Sequence, residues 1–501
     1  MRIIEYFEKN VEKYANCIAV DDTQEVLTFK ELREKAISFS SKLGNSINSP
    51  VAIFLKESTE YVSAILSVIY SGNFYVPIIT SYPNEMIKKI LDSVNPSVII
   101  TDFENSSKLI RCGVSVSKLV IVDDESEINI NGVQDNYKRV LDSDPVYIMH
   151  TSGSTGIPKG VIIKHASLID YIEWAGKTFN FNSDTVIGCK NSFAFDNSIL
   201  DIFPMLFFGS RLIVLKQKES KKIDIPSLIK LMNEKKANFV FWTPSMLKYI
   251  ANEKILENTK PEYLNKVLFC GEIMTNRHLN YWRRHYPEAV FANLYGPTEI
   301  TDACTYYIVD REFKDDEDLP IGIPCDNTEI LILNEEKQRI KQGETGEIYV
   351  RGICVAAGYW NSPERTAESF VQNPLNDKYG EIVYKTGDMA TYNEYNEIMF
   401  LGRKDSQIKY FGTRVELEEI EKAAITLEGI KNACVFFAEE KNKIVMIYSA
   451  EKEIDKKSLI IAMKNKLAVF PTEYFLTDDF PCNNSGKIDR KALKIRYIKD
   501  I

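Results

Sequence analysis

The segment VYIMHTSGSTGIPKG, Val146 to Gly160, runs an apolar stretch into a loop of glycines and hydroxyl residues closed by Lys159. Such a loop can wrap phosphates, because glycine lets the backbone approach closely and the amides point at anionic oxygens. Thr151, Ser152, Ser154 and Thr155 add hydroxyl donors around Gly153 and Gly156. It is not a Walker loop, since no Gly-Lys pair in this segment precedes a Ser or Thr. Further along, NLYGPTE (Asn293 to Glu299) joins an aromatic face, a Gly-Pro turn, a hydroxyl and a carboxylate. Tyr295 offers a face to a base and Glu299 a ligand to Mg²⁺; the same residues also read as an ordinary turn with a core tyrosine and a solvated glutamate. YKTGD ends at Asp388 and GRKD spans Gly402 to Asp405. The Asp388 carboxylate suits two ribose hydroxyls, or simply forms a turn. Near the end, NNSGKIDR (Asn483 to Arg490) carries Lys487, a cation that either enters a site or is solvated.

Short runs rich in Val, Ile and Phe must present these segments: VAIFL from Val51, SVIIT from Ser97, LVIV from Leu119, VYIM from Val146 and FVFW from Phe239. Separated by amphipathic stretches, they predict parallel strands covered on both faces, an α/β chain. After about Asp326, EILIL, EIYVRG and EIMFLGR alternate with turns and predict a smaller β-rich subdomain. From Asp405 a helix around Leu417 to Leu427, strands ACVFFA and KIVMIYS, a helix near Leu459 to Leu467 and a lysine-rich tail predict a separate unit. The expected division is 1–404 and 405–501.

A chain of 501 residues exceeds what one hydrophobic core organises and predicts roughly two to four domains or subdomains. With 45% hydrophobic and 27% charged residues it folds almost throughout. The net charge of −9, spread without long runs of one sign, argues against a nucleic-acid surface. Nine scattered cysteines without a CxxC pair fit a reducing cytoplasm. The first twenty residues have helical spacing rather than the form of a signal peptide. The uncharged stretch Tyr61 to Asn84 is broken by Gly72, Pro77 and Pro83, so it reads as a buried helix, loop and strand and not as a membrane insertion.

Taken in order, these segments resemble the adenylate-forming superfamily, which includes acyl-CoA synthetases, luciferases and the adenylation domains of nonribosomal peptide synthetases. The likeness begins at LTFKEL (Leu27 to Leu32) and SGNFYVPI (Ser71 to Ile78), continues through FAFDNS (Phe193 to Ser198) and GEIYVRGICVAAGYW (Gly346 to Trp360), and ends at Lys487. FCGE at Phe269 to Glu272 and ELEEIE at Glu416 to Glu421 are most similar to amino-acid-activating members, including stand-alone D-alanine carrier-protein ligases. The resemblance implies a large N-terminal domain of doubly wound α/β subdomains with a small β-rich one, followed by a small mobile α+β C-terminal domain hinged at Asp405. It implies ATP and Mg²⁺ as cofactors, with phosphopantetheine supplied by the acceptor. Adenine would lie near Gly271, Glu272, Asn293 and Tyr295, with Leu294 and Gly296 also at the nucleotide and Phe400 flanking it. Thr151 to Gly156, Lys159 and Thr298 would meet phosphates, Asp388 and Arg403 the ribose, and Glu299 the metal.

By the same resemblance Asp196 would hold a substrate α-ammonium, an ion pair with a sufficient physical reason at a buried site; its alternative is a cap for the following helix. Asn197, Leu200, Phe241, Leu268, Cys270, Leu294, Asp302 and Ala303 would line the rest of the pocket. Cys270 agrees with the D-alanine ligases. Asp302 stands where those enzymes place an apolar residue: a second carboxylate favours a polar or cationic side chain, or points at backbone donors. Ala357 and Lys385 replace arginines of the family pattern, and LAVFP near Leu467 replaces its proline-tyrosine pattern.

A free α-carboxyl with a pKa of about 3.5 is already an anion and needs no general base, so no acid-base role falls to His150, His165, His278 or His285. The difficulty is bringing two anions together, which calls for fixed positive charge and oriented donors. The resemblance gives that task to the glycine-rich loop, Mg²⁺, Thr298 and Lys487, with Lys487 bridging the carboxylate and an α-phosphate oxygen and leaving when the small domain rotates. Only KALKIRYIKDI follows Arg490, so a separate acyl or peptidyl carrier protein is the expected thiol donor, with coenzyme A as the alternative. An acyl- or aryl-CoA synthetase and a nucleotide-binding regulator without turnover are the competing functions.

Overall fold

A computed structural model of the chain describes all residues except 123–135, 152–157, 216–223, 405–406, 451–453, 478, 482–487, 489 and 499–500, and the backbone alone at 407, 414, 418, 440 and 491. Apolar runs flanked by amphipathic helices form two large mixed sheets. One, among the described residues, has the order Gly358–Tyr359, Lys159–Lys164, Pro145–Thr151, Phe74–Pro77, Pro50–Phe54, Val98–Thr101, Leu119–Ile121. The five strands from Pro145–Thr151 onward run parallel, and the first two pair antiparallel. The other centres on six parallel strands: Val290–Tyr295, Lys266–Cys270, Phe239–Trp242, Val186–Cys189, Arg211–Val214 and Ile18–Asp21.

The helices between strands follow local chemistry. Phe29–Ser41 starts with a reciprocal cap in which the Thr28 hydroxyl accepts from the Glu31 amide at 3.2 Å and the Glu31 carboxylate from the Thr28 amide at 2.8 Å. Thr59–Tyr70 is largely apolar after Glu60, and nearly every residue in it is buried. It ends before Phe74–Pro77, the helix, loop and strand expected of the uncharged stretch. Among the described residues no helix is long and apolar enough to cross a membrane.

The β-rich part is a sheet of Thr328–Leu333, Gly346–Gly352, Ile382–Tyr392 and Phe370–Gln372, with Ile398–Arg403 added beside Ile382–Tyr392. Beyond it lies a small α+β domain with its own core. Its elements are a hairpin, Gln407–Tyr410 with Thr413–Glu416, a sheet of Ile430–Ala438, Lys443–Ala450 and Glu473–Leu476, and the helices Leu417–Ile425, Lys456–Lys466 and Arg490–Tyr497. The chain is thus a large N-terminal α/β domain followed by a small C-terminal one.

Candidate active site

Parallel strands leave their carboxyl ends facing one crevice, where such sheets bind ligands. Thr151, Cys270 and Tyr295 are each the last residue of a strand. An open cleft lies there, lined from the large domain by Thr151, Asp196, Asn197, Cys270, Thr298 and Asp302, and from the small domain by Lys409, Gly412 and Glu419. After Tyr295 the chain doubles back so tightly that a Cβ on Gly296 would stand 2.4 Å from the Asp302 carbonyl oxygen. Thr301 and Asp302 follow with φ of 64° and 71°, left-handed values that side chains other than glycine rarely adopt. That turn presents Thr298 and Asp302 to the cleft.

Asp196 opens a single 3₁₀ turn, Asp196–Ser198, and its Oδ1 accepts from the Asn197 amide at 3.0 Å. It does not cap the helix Ile199–Phe208, which the Ser198 backbone precedes without a side-chain cap. Burial raises the Asp196 carboxyl, and nearby Glu299 adds to this, while the Thr298 hydroxyl and the Lys409 ammonium oppose it. Asp302, 2% exposed, accepts from the Tyr171 hydroxyl at 2.6 Å; burial and then Asp196 push its carboxyl well above the usual range. Burial likewise pushes the Cys270 thiol up to about 12. His150 also lines the cleft, its ring nitrogens unpartnered among the described residues and its pKa lowered by burial to about 4, so the imidazole is neutral.

The pocket expected from the resemblance is only partly assembled here. Asp196, Asn197, Cys270 and Asp302 line the cleft, whereas Leu200, Phe241, Leu268, Leu294 and Ala303 sit in the hydrophobic core behind it. The reason is geometric for Leu268: it shares a face with Cys270 but stands two residues, about 7 Å, deeper along the strand.

The residues expected to hold a nucleotide gather beside this pocket. Antiparallel pairing sets Asp388 directly opposite Arg403, whose guanidinium reaches it at 2.7 Å, and the Tyr295 hydroxyl donates to its other oxygen. Asp388 therefore lies within a strand and not in a turn. The Phe400 and Tyr295 rings lie 5.9 Å apart. Asn293 directs its amide nitrogen to the Pro320 carbonyl at 2.8 Å. Glu272 is committed elsewhere: one oxygen accepts from the Ser245 amide at 2.9 Å and from its hydroxyl, and the other from the Gly412 amide at 2.9 Å. It thereby ties the large domain to the hairpin tip, while Gly271 beside it has a φ of 99°. Thr151 Oγ1 is buried without a partner among the described residues. Lys159 lies over the Tyr359 ring, 5.3 Å from its centre. Glu299 has no exposed surface and accepts from the Tyr359 hydroxyl at 2.7 Å. A single carboxylate behind Tyr359 and Lys159 suits Mg²⁺, which takes one or two protein carboxylates and completes its shell with water and substrate phosphates. Ser152, Gly153, Ser154, Thr155, Gly156, Asp405 and Lys487 lie outside the described residues.

Three contributors were not among the sequence-derived candidates: Tyr171, Tyr359 and Lys409. The Lys409 ammonium donates to the Gly296 carbonyl at 3.2 Å and pulls the Asp196 and Asp302 carboxyls down. A signal for its placement was present. Phe411 and Gly412 both have positive φ, 47° and 78°, in a two-residue hairpin turn that carries Lys409 at its shoulder.

A family model described as AMP-binding enzyme matches residues 7–360. The chain is 30% identical to tyrocidine synthase 1 of Brevibacillus parabrevis over 98% of its own length, although it spans only 44% of that protein. It is 30% identical to the zwittermicin A synthase ZmaJ of Bacillus cereus, covering 98% of this chain and 94% of that one. Its fold is similar to that of the adenylation domain AlmE of Vibrio cholerae, solved in complex with glycyl-adenosine-5'-phosphate. The TM-score is 0.85 at 23% identity, over 99% of this chain and 98% of that one.

Proposed function

This chain belongs to the family of AMP-binding enzymes, and from that premise we propose that it activates an amino acid as aminoacyl-AMP and passes it to the phosphopantetheine thiol of a separate carrier protein. The observation that carries the amino-acid reading is Asp196, a half-buried carboxylate that lines the cleft beside Thr298. A carboxylate partly withdrawn from water favours a cationic partner; in the described arrangement Lys409 acts on it, and an α-ammonium is a cation that every amino acid brings. The glycyl-adenylate bound by AlmE is the class of intermediate this reading requires.

The substrate carboxylate attacks the α-phosphorus of ATP, the new P–O bond forms as the bond to the leaving oxygen breaks, and pyrophosphate departs. Thr151 and Thr298 offer hydroxyls to phosphate oxygens, and Asp388 with Arg403 holds the ribose beside Tyr295 and Phe400. Glu299 would hold Mg²⁺, which would supply charge neutralisation at the phosphates. Lys487 supplies the mobile cation for adenylation, carried by residues 405–501 turning about Asp405. The thiol then attacks the acyl carbon and expels AMP, with no redox change. In the described arrangement the small-domain cation in the cleft is Lys409.

ATP–pyrophosphate exchange across amino, aryl and fatty acids tests the proposal. Exchange should be restricted to amino acids, collapse in Lys487→Ala and lose its amino-acid ranking in Asp196→Ala. An unchanged ranking in Asp196→Ala would sink the amino-acid assignment, and consumption of coenzyme A without carrier loading would replace the acceptor.

A further inference from the structure

Glu299 and Tyr359 are 60 residues apart in the chain, yet their side chains meet at 2.7 Å, with Glu299 wholly buried and Tyr359 5% exposed. Every constraint around Tyr359 fixes where that hydroxyl points. Its short strand, Gly358–Tyr359, pairs with Lys159–Lys164 so that Tyr359 stands opposite Val161. Its amide donates to the Thr366 hydroxyl at 3.0 Å. Gly358, with φ of 127°, permits that approach, because a Cβ there would stand 2.6 Å from the Thr366 methyl. The ring packs edge-on against Phe370, with centroids 5.4 Å apart, and Lys159 lies over it. The Ala356 amide donates to the Glu299 carbonyl at 2.9 Å, so the two segments are joined through the main chain as well.

We infer that Tyr359 is a positioning residue, its hydroxyl setting the Glu299 carboxylate for the metal-bound nucleotide and its ring coupling that carboxylate to Lys159 at the exit of the glycine-rich loop. The inference rests on the reading of Glu299 as the metal carboxylate. A carboxylate free to rotate presents either oxygen in several directions; one held by a phenol within a dry shell presents a single orientation. Partners of this kind tune metal affinity by about 10–100-fold when removed. Because Glu299 would hold the metal together with the nucleotide, the loss should appear in nucleotide binding only when Mg²⁺ is added.

The test is calorimetric titration of ATP into the full chain across a Mg²⁺ series and in EDTA, comparing the parent, Tyr359→Phe and Glu299→Gln. Phenylalanine keeps the ring, and with it the contacts to Lys159 and Phe370. Tyr359→Phe should raise the Mg²⁺ concentration for half-maximal enhancement of ATP affinity about tenfold, leave ATP affinity in EDTA unchanged, and unfold at the parent's temperature within a few degrees. If Glu299→Gln shifts the Mg²⁺ dependence and Tyr359→Phe does not, the inference is overturned while the metal assignment stands. If neither variant shifts it, the assignment of Glu299 falls and takes the inference with it.

Discussion

Arg490 should hold the lysine-bearing end of the chain onto the small domain. Its guanidinium donates to both oxygens of Glu421, on the helix Leu417–Ile425, while the Val435 amide donates to the same carboxylate at 2.7 Å. The Glu421 side chain is 10% exposed and that of Arg490 43% exposed. Removing one partner of a fully buried pair costs about 3–5 kcal/mol. Water reaches Arg490 from one side, and this screening lowers the expected cost of Arg490→Ala to about 2 kcal/mol. That is roughly 30-fold in the folding equilibrium. If a small domain of under about 100 residues melts on its own, the midpoint falls by about 8–16 °C. Differential scanning calorimetry reads this directly. Arg490→Lys should recover less than half the loss, because ammonium cannot bond both oxygens in parallel. Arg490→Met with Glu421→Gln should recover most of it by leaving no charge behind while keeping an acceptor for the Val435 amide. Lys487 precedes Arg490 by three residues, so Arg490→Ala should also slow pyrophosphate exchange while ATP binding is retained. A midpoint within a degree of the parent's, with exchange intact, would refute the anchoring role.

Glu272→Ala removes the acceptor shared by Ser245 and Gly412; hydrogen exchange at the Gly412 amide should accelerate, and carrier loading should fall further than pyrophosphate exchange. Burial, then Glu416, raises the Glu419 carboxyl to about 7 from 4.5, so its contribution to stability is complete below about pH 4.5 and is lost as pH rises through about 7. Glu419→Gln should therefore match the parent near pH 4.5 and exceed its stability at pH 8 by up to about 3 kcal/mol, measured by urea unfolding. Asp302→Ala, paired with Tyr171→Phe so that no buried hydroxyl loses its acceptor, should shift substrate ranking toward apolar side chains in the exchange assay. An unchanged ranking would place Asp302 in a purely structural role.

Much of the fold was legible because strands covered on both faces need unbroken apolar runs. VAIFL, SVIIT and FVFW each contain or overlap an observed parallel strand. VYIM also pairs on one side with the antiparallel Lys159–Lys164, a partner set by the loop between them. The motifs were legible for a related reason, in that their job is done largely by the main chain. NLYGPTE is recognisable as a string because Gly296 must lack a Cβ for the turn behind it to close. Side-chain meetings across distant segments leave no such trace. Tyr171 lies inside the helix His165–Phe179 and meets Asp302, 131 residues away, with nothing in the local pattern to distinguish it from a core tyrosine.

The same distinction explains how one cleft serves two domains. Gly296 contributes twice: its missing side chain admits the Asp302 backbone, and its carbonyl receives Lys409 from the hairpin. The hairpin reaches that carbonyl because its tip is held by Glu272, which is in turn oriented by Ser245 at the start of the helix Pro244–Asn252. Two separately folded cores therefore meet in part through polar contacts, and polar contacts exchanged with water have a small net worth, about 0.5–1.5 kcal/mol each. An interface of that kind can be undone and remade at low cost. On the proposed mechanism, in which Lys487 enters the cleft for adenylation and leaves for thiolation, a junction held by such polar contacts would suit the exchange.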